Sequence, residues 1–263
     1  MRSLARDLLP PILVRALSRF EKRNQTVIPN FTKDEAMEWL SYINPGMLMK
    51  SNLDLFAYCI DRLPNGAGAV VEIGSWAGLS LNHLILLLKR TRHGNPVFSV
   101  DEWIFENANF GHDYRRLVIE TFRSNVRLFN GDRLPHHIEL NSNKFFSSWN
   151  ANEVMTDFFG RTAKLGGPIV FAHIDGAHTY EQSMRDFRNI DRHLVSGGFI
   201  VFDDSADNSD WGSRLSAQEA SKASSIRTYS QKPQLLYPQN PPFRAFKPNT
   251  PPIWPAPSWP QRW

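Results

Sequence analysis

The sequence predicts an α/β protein built on a doubly wound, mostly parallel sheet, with N-terminal helices and an irregular Pro-rich C-terminal tail. Three observations carry this. Short bare apolar runs recur at Ala69–Ile73, Val97–Val100, Ile169–Ile174 and Phe199–Phe202, as in strands buried on both faces of a parallel sheet. Stretches of helical spacing separate them, so strands alternate with helices. Each run ends in a glycine or an acid, at Gly74, Asp101, Asp175 and the pair Asp203-Asp204.

In chain order, residues 1–30 form an amphipathic arm rich in Arg and Leu and interrupted by Pro10-Pro11. Phe31 to Leu63 reads helical. Thr32 with Glu35 makes a capping box, and Ala36, Trp39 and Leu40 begin an apolar face. Asn44-Pro45-Gly46 breaks that run. A second helix, Ser51 to Arg62, ends at Pro64-Asn65-Gly66. The first strand, Ala69–Ile73, leads through the turn Gly74–Gly78 into an apolar helix, Leu79–Arg90. Val97–Val100 is the second strand and ends at Asp101. An aromatic, charged segment follows, from Trp103 to Asp113, and then a helix from about Tyr114 to Leu128. His137–Leu140 reads as a third strand and Asn152–Lys164 as a helix. Ile169–Ile174 and Phe199–Phe202 complete the core strands. Met184, Phe187, Ile190 and Leu194 share one face of the helix between them. The expected division is an arm and helical cap over 1–63, a catalytic domain over 64–223 and a tail over 224–263.

The tail differs in composition. No Asp or Glu occurs after Glu219, and proline recurs from Lys232 onward. Such a stretch suits neither helices nor central strands. It reads either as an extended Pro-rich segment or as a terminus of aberrant origin. A closing hairpin would have to come from Ser225–Ser230 and Phe243–Lys247.

Composition excludes several classes. The 263 residues carry a net charge of only +4, with basic residues spread rather than blocked, which argues against a nucleic-acid partner. No run approaches the roughly 18 apolar residues of a membrane span. The single cysteine, Cys59, forbids an internal disulfide and fits a reducing, cytoplasmic setting. A small-molecule partner is expected, and a homo-oligomer is compatible with the chain.

Two patterns carry chemistry. Glu72-x-Gly74-x-x-x-Gly78 between a strand and a helix is a nucleoside-binding turn. Gly74 allows a bend that a Cβ would obstruct. Asp101, ending the next strand, is placed to bond ribose hydroxyls. Trp76 stands at the second glycine position of the dinucleotide fingerprint, which argues against a pyrophosphate ligand. The second pattern is a strand ending at Asp175, a crossover helix, and a strand ending at Asp203 and Asp204. Neighbouring parallel strands lie about 4.8 Å apart, so three carboxylates would gather at one sheet edge and repel unless a cation or a proton intervenes. Both Asp203 and Asp204 can face one ion only if the strand has ended at Phe202. His178, just before a helix capped by Thr179 and Gln182, could accept a proton or simply orient the loop. His173, inside a strand, reads as a satisfied core histidine.

The segments VVEIGSWAGLS, VFSVDEW, HIDGAHTYEQSMRDF and GGFIVFDD resemble class I S-adenosylmethionine-dependent methyltransferases with a Rossmann-like fold. Within them the chain is most similar to the metal-dependent O-methyltransferase branch that includes macrocin O-methyltransferase and cephalosporin-hydroxylase-like proteins. The resemblance spans about Gly46 to Trp211. It implies S-adenosyl-L-methionine as cofactor, with Glu72, Gly74, Ser75 and Gly78 at its methionine end and Asp101 on its ribose. Glu102 and Trp103 would lie near the adenine, with Asn141 and Ser142 beside it. It also implies Asp175, Asp203 and Asp204 as metal ligands. Oxygen-only ligands suit a hard cation, Mg²⁺ first. The implied reaction is methyl transfer to a small-molecule hydroxyl, with Asp175 or His178 taking the proton. Trp103, Phe105, Phe110, Tyr114 and Trp211 would shape the acceptor pocket or pack as a lid. A cofactor-binding protein without turnover and a nicotinamide-dependent oxidoreductase are the competing readings.

Overall fold

The computed structural model describes residues 35–64, 66, 68–104, 112–205, 210–222, 226–229 and 234–238. Two helices come first, α1 (Glu35–Ile43) and α2 (Lys50–Ile60), parted at Asn44-Pro45-Gly46 as the breaker residues dictate. Thr32 of the expected capping box lies outside the described residues. Then follow β1 (Ala69–Ile73), α3 (Leu79–Arg90), β2 (Val97–Val100), α4 (His112–Asn130), β3 (His136–Ile138) and α5 (Ser142–Asn150). A small hairpin, β4 (Val154–Thr156) and β5 (Thr162–Lys164), precedes β6 (Ile169–Ile174), α6 (Tyr180–Asp191), β7 (Leu194–Phe202) and α7 (Gly212–Ala220). The last elements are β8 (Ile226–Tyr229) and β9 (Gln234–Pro238).

Seven strands form one sheet in the order β3-β2-β1-β6-β7-β9-β8. The first five are parallel, while β9 runs antiparallel to both β7 and β8. The order reverses between β1 and β6, the switch point at which open α/β sheets bind ligands. Alternation along the strands feeds two cores. Val70, Phe171, Phe199 and Val201 face α2, α3 and α4, packing with Phe56, Leu84 and Phe122. Val71, Ala172, Ile174, Ile200 and Phe202 face α5, α6 and α7, packing with Phe145, Trp149, Met184 and Phe187. Each Val, Leu, Ile, Phe or Met among these taken fully out of water contributes about 1.5–3 kcal/mol, which is what seats the helices on both faces.

Three expectations are corrected. Asn152–Lys164 is a hairpin, not a helix. Val154, Thr156 and Thr162 are β-branched and suit a pleat, Gly160 turns at φ +80°, and the Asp157 carboxylate accepts from the backbone N–H of Phe159 and of Arg161 at 2.9 Å each. The helix sits earlier, at Ser142–Asn150, where the Asn141 side chain caps it by accepting from Lys144 N–H at 3.0 Å. Leu194 belongs to β7 rather than to the helix before it: the helix is capped at Arg192, and two residues on Leu194 pairs with Ile169. In the tail, one closing strand falls within 225–230 as expected. Its partner is Gln234–Pro238, a run whose one proline ends the strand; Phe243–Lys247 lies outside the described residues. Among the described residues no helix is long and apolar enough to cross a membrane.

Candidate functional site

The backbone ladder continues one residue past three strand ends. Gly74 N–H donates to the Val100 carbonyl, Asp175 N–H to the Ile73 carbonyl and Asp203 N–H to the Ile174 carbonyl, each at 2.8–2.9 Å. Gly74, Asp175 and Asp203 therefore stand side by side in one row at the C-terminal edge of β1, β6 and β7. The approach is so close that a Cβ on Gly74 would lie 2.0 Å from the Asp175 carbonyl oxygen, and Gly74 has φ +81°. Only glycine meets both conditions.

On the β1–β2 side, Asp101 braces the glycine turn. Its Oδ2 accepts from the backbone N–H of Ser75 and of Trp76 at 3.0 Å each, and its Oδ1 from Trp103 N–H at 2.7 Å. Burial pushes its pKa up, the three backbone donors pull it down, and Glu72 adds a further upward push. Oδ1 keeps acceptor capacity for a ligand hydroxyl. Gly78, at φ +86°, ends the turn and starts α3. Ser75 is buried, and its Oγ has no hydrogen-bond partner.

The expected adenine-side residues divide. Glu102 is partly exposed beside Asp101, and its carbonyl accepts from Arg115. Trp103, by contrast, turns its indole into the core. It is 1% exposed, donates Nε1–H to the Trp76 carbonyl and stacks on His137 at 4.5 Å. The left-handed φ of +51° at Trp103 directs the ring inward, so its side chain is not presented to a ligand. Burial lowers the His137 pKa to about 3, keeping that partner neutral. Ser142 accepts from Gln182 Nε2 at 3.1 Å, joining α5 to α6. Asn141 spends its side-chain oxygen on the helix cap.

On the β6–β7 side the acids gather. Burial first, and then the Asp203 carboxylate, hold the Asp175 pKa well above the usual range. β7 does end at Phe202, and Asp204 sits at φ +48°, so the chain turns there and the alternation that would separate Asp203 from Asp204 stops. Asp204 Oδ2 lies 3.2 Å from His178 Nε2, and Asp175 Oδ1 lies 3.7 Å from the same nitrogen. Burial and then Asp203 raise the Asp204 pKa, while His178 lowers it. The Thr179 hydroxyl caps α6 by accepting from Gln182 N–H at 3.3 Å, which fixes His178 in the loop above the sheet. Among the described residues no group of three or more His, Cys, Asp or Glu side chains is arranged as a ready metal cage.

Of the expected acceptor aromatics, Trp211 is 54% exposed and its ring lies 4.9 Å from that of His178. Tyr114 instead accepts a hydrogen bond from Trp76 Nε1 at 3.1 Å. Phe105 and Phe110 lie outside the described residues.

Two features escaped sequence reasoning. His173 is not simply a core residue. It is fully buried with its Nδ1 3.3 Å from Glu72 Oε1, but neither His173 Nε2 nor Glu72 Oε2 has a hydrogen-bond partner. Burial alone would lower the His173 pKa, but the hydrogen bond it donates to Glu72 and the charges of Asp175, Glu72 and Asp203 leave it raised. The second feature is Asn52 on α2, whose Nδ2 donates to Asp203 Oδ1. The pairing of Glu72 with His173 across β1 and β6 could have been found by aligning the two strands on their acid ends. Asn52 carried no sequence signal.

Comparison with known proteins agrees with this geometry. A family model described as a methyltransferase domain matches residues 71–205. No curated protein matches the chain. The fold resembles several solved structures, each with a TM-score of 0.51 and 14% identity. One is an O-methyltransferase from Bacillus cereus in complex with SAH (84% of this chain and 96% of that one covered). Another is the SAH-bound Podospora anserina methyltransferase PaMTH1 (89% and 99%). A third is CalS11, a calicheamicin methyltransferase (87% and 93%). Resemblance at this identity speaks for the fold, while the family match spans half of the chain and both halves of the candidate site. The chain belongs to the methyltransferase-domain family and carries a Rossmann-like methyltransferase fold.

Proposed function

We propose that this protein is an S-adenosylmethionine-dependent O-methyltransferase, assisted by a hard divalent cation and acting on a hydroxyl of a small molecule. The observation that carries the reading is the single row of Gly74, Asp175 and Asp203, which sets a nucleoside-binding turn directly beside a pair of carboxylates. The SAH complexes of similarly folded proteins support the cofactor, and the O-methyltransferase among them supports the oxygen acceptor.

The residue types present suit both groups. Glu72, Gly74, Ser75 and Gly78 would receive the amino-acid end of the cofactor, Asp101 its ribose, and Glu102 and Ser142 the side nearest the adenine. Burial and the neighbouring Asp203 carboxylate disfavour the ionised form of Asp175, a situation that a bound cation would relieve. With Asp204 they form an oxygen donor set suited to Mg²⁺ or Mn²⁺. The cofactor supplies a methyl group on a sulfonium, and the cation supplies a lowered pKa for an acceptor hydroxyl.

The chain's own part is positioning and proton transfer. His178 would take up the hydroxyl proton on its imidazole, whose Nε2 is held against the Asp204 and Asp175 carboxylates. Trp211 packs against the His178 ring and offers an apolar wall to the acceptor.

The test is transfer of labelled methyl from S-adenosylmethionine to a panel of sugar and polyphenol hydroxyls, with Mg²⁺ or with chelator. Transfer should require the cation and disappear in Asp175→Asn. Transfer indifferent to chelator removes the metal from the account.

A further inference from the structure

Asn52 stands 151 residues from Asp203 in sequence, yet its side-chain Nδ2 donates to Asp203 Oδ1 at 2.5 Å. Register explains the meeting. Phe199 and Val201 of β7 face α2, and Asp203 continues that alternation one step beyond the strand. On α2, Asn52 and Phe56 are one turn apart. Phe56 packs edge-on against Phe171 and His173, at 5.9 and 4.8 Å, which brings Asn52 over the acid row.

Asn52 is 1% exposed. Burying an amide is costly unless its hydrogen bonds are made, and a leucine, with the same branching at Cγ, would seat α2 on an apolar surface without that cost. Packing therefore does not account for an asparagine at this position. The hydrogen bond to Asp203 does. It occupies one carboxylate oxygen and leaves Oδ2 to point elsewhere.

The same segment reaches the other half of the site. Asn44 is fully buried, donates Nδ2–H to the Ala77 carbonyl at 3.1 Å and accepts from Asn82 at 2.6 Å. Gly46 lies so close to α3 that a Cβ would meet Leu79 at 2.4 Å. Residues 44–52 thus run as a strap from the back of the glycine turn to the acid row.

We infer that Asn52 is a positioning residue of the candidate cation site, pinning Asp203 Oδ1 so that Oδ2 is presented beside Asp175. The inference rests on the metal-assisted reading above and assigns the helical cap a part in it. Hydrogen-bond partners of ligating carboxylates typically account for about 10–100-fold in metal affinity.

The experiment is titration of Mn²⁺ into the full-length protein with S-adenosylhomocysteine present, followed by electron paramagnetic resonance of free Mn²⁺, alongside separate titration of S-adenosylhomocysteine. Asn52→Leu should weaken Mn²⁺ by about 10–100-fold while leaving S-adenosylhomocysteine affinity essentially unchanged. Asp203→Asn should abolish Mn²⁺ binding. If Asn52→Leu does not fold, Asn52→Ala is read the same way. Wild-type Mn²⁺ affinity in a folded Asn52 variant, with binding lost in Asp203→Asn, overturns this inference alone. Failure of the wild-type protein to bind Mn²⁺ overturns it together with the cation reading.

Discussion

The Asp101 carboxylate accepts the backbone N–H of Trp76 at 3.0 Å, and through it the second strand holds the turn that leaves the first. With Ser75 and Trp103, three backbone donors converge on this one side chain. Asp101→Ala leaves those donors unpartnered in a largely buried place. Each unsatisfied buried group costs about 1–3 kcal/mol, so the variant should lose at least that much stability in urea unfolding. Asp101→Asn, which keeps one carbonyl acceptor, should fall between.

Gly74 and Gly66 both have positive φ, +81° and +69°, but only Gly74 faces a wall. Gly66→Ala meets nothing within 4 Å and should cost only the left-handed strain, about 1–2 kcal/mol. Gly74→Ala adds a collision with the Asp175 carbonyl and should cost roughly 3 kcal/mol or more. Thermal melts of the two variants measure the difference.

Asp186 on α6 accepts from Gln182 Nε2 at 2.9 Å, but its Oδ2 is buried without a partner. Burial raises its pKa from 3.8 to about 6, against the pull of Ser142 and Gln182. Between those pH values the folded state holds more protons than the unfolded chain, so stability falls as pH rises across the window. The shift corresponds to about 3 kcal/mol. Asp186→Asn should therefore be more stable than wild type at pH 8 by up to about that amount, with the gap closing below pH 4. Denaturant unfolding at the two pH values checks it.

His83 shows the opposite sign. It bridges α3 to α1 through Ser41 Oγ at 3.1 Å and Met37 Sδ at 2.9 Å. Burial lowers its pKa from 6.5 to about 4. The folded state then holds fewer protons below pH 6.5, and its stabilising share is lost as pH falls from 6.5 toward 4. A pH series of melts should show this slope in wild type and lose it in His83→Gln.

Strands β8 and β9 cover the free edge of β7, where Ile200, Val201 and Phe202 pair with Leu236, Leu235 and Gln234. A chain ending at Ala223 exposes that edge. It should melt lower than the full chain and aggregate at lower concentration, because an uncovered strand edge recruits other strands. Equal melting of the two chains would mean that the closing hairpin contributes nothing.

Much of this architecture was legible because burial on both faces writes itself as bare apolar runs: Ala69–Ile73, Val97–Val100 and Ile169–Ile174 have the predicted bounds. The acid and glycine ends of those runs were legible for the same reason, since polar residues resume where the sheet stops. The hairpin at 154–164 was misread because its strands are three residues long, too short for a period of two to declare itself against a helical one. The inward turn of Trp103 depends on a positive φ that no residue type announces. Asn52 depends on which helix lands over β7, a tertiary fact invisible to local pattern. Proline content hid β9, although its proline comes only at the strand end.

The most direct measurement is calorimetric titration of S-adenosylhomocysteine into the folded full-length protein, with and without Mn²⁺. Saturable one-to-one binding is expected, weakened in Asp101→Ala, with tighter Mn²⁺ binding by wild type than by Asp175→Asn. A protein that is folded by circular dichroism yet releases no heat with S-adenosylhomocysteine under either condition would contradict it.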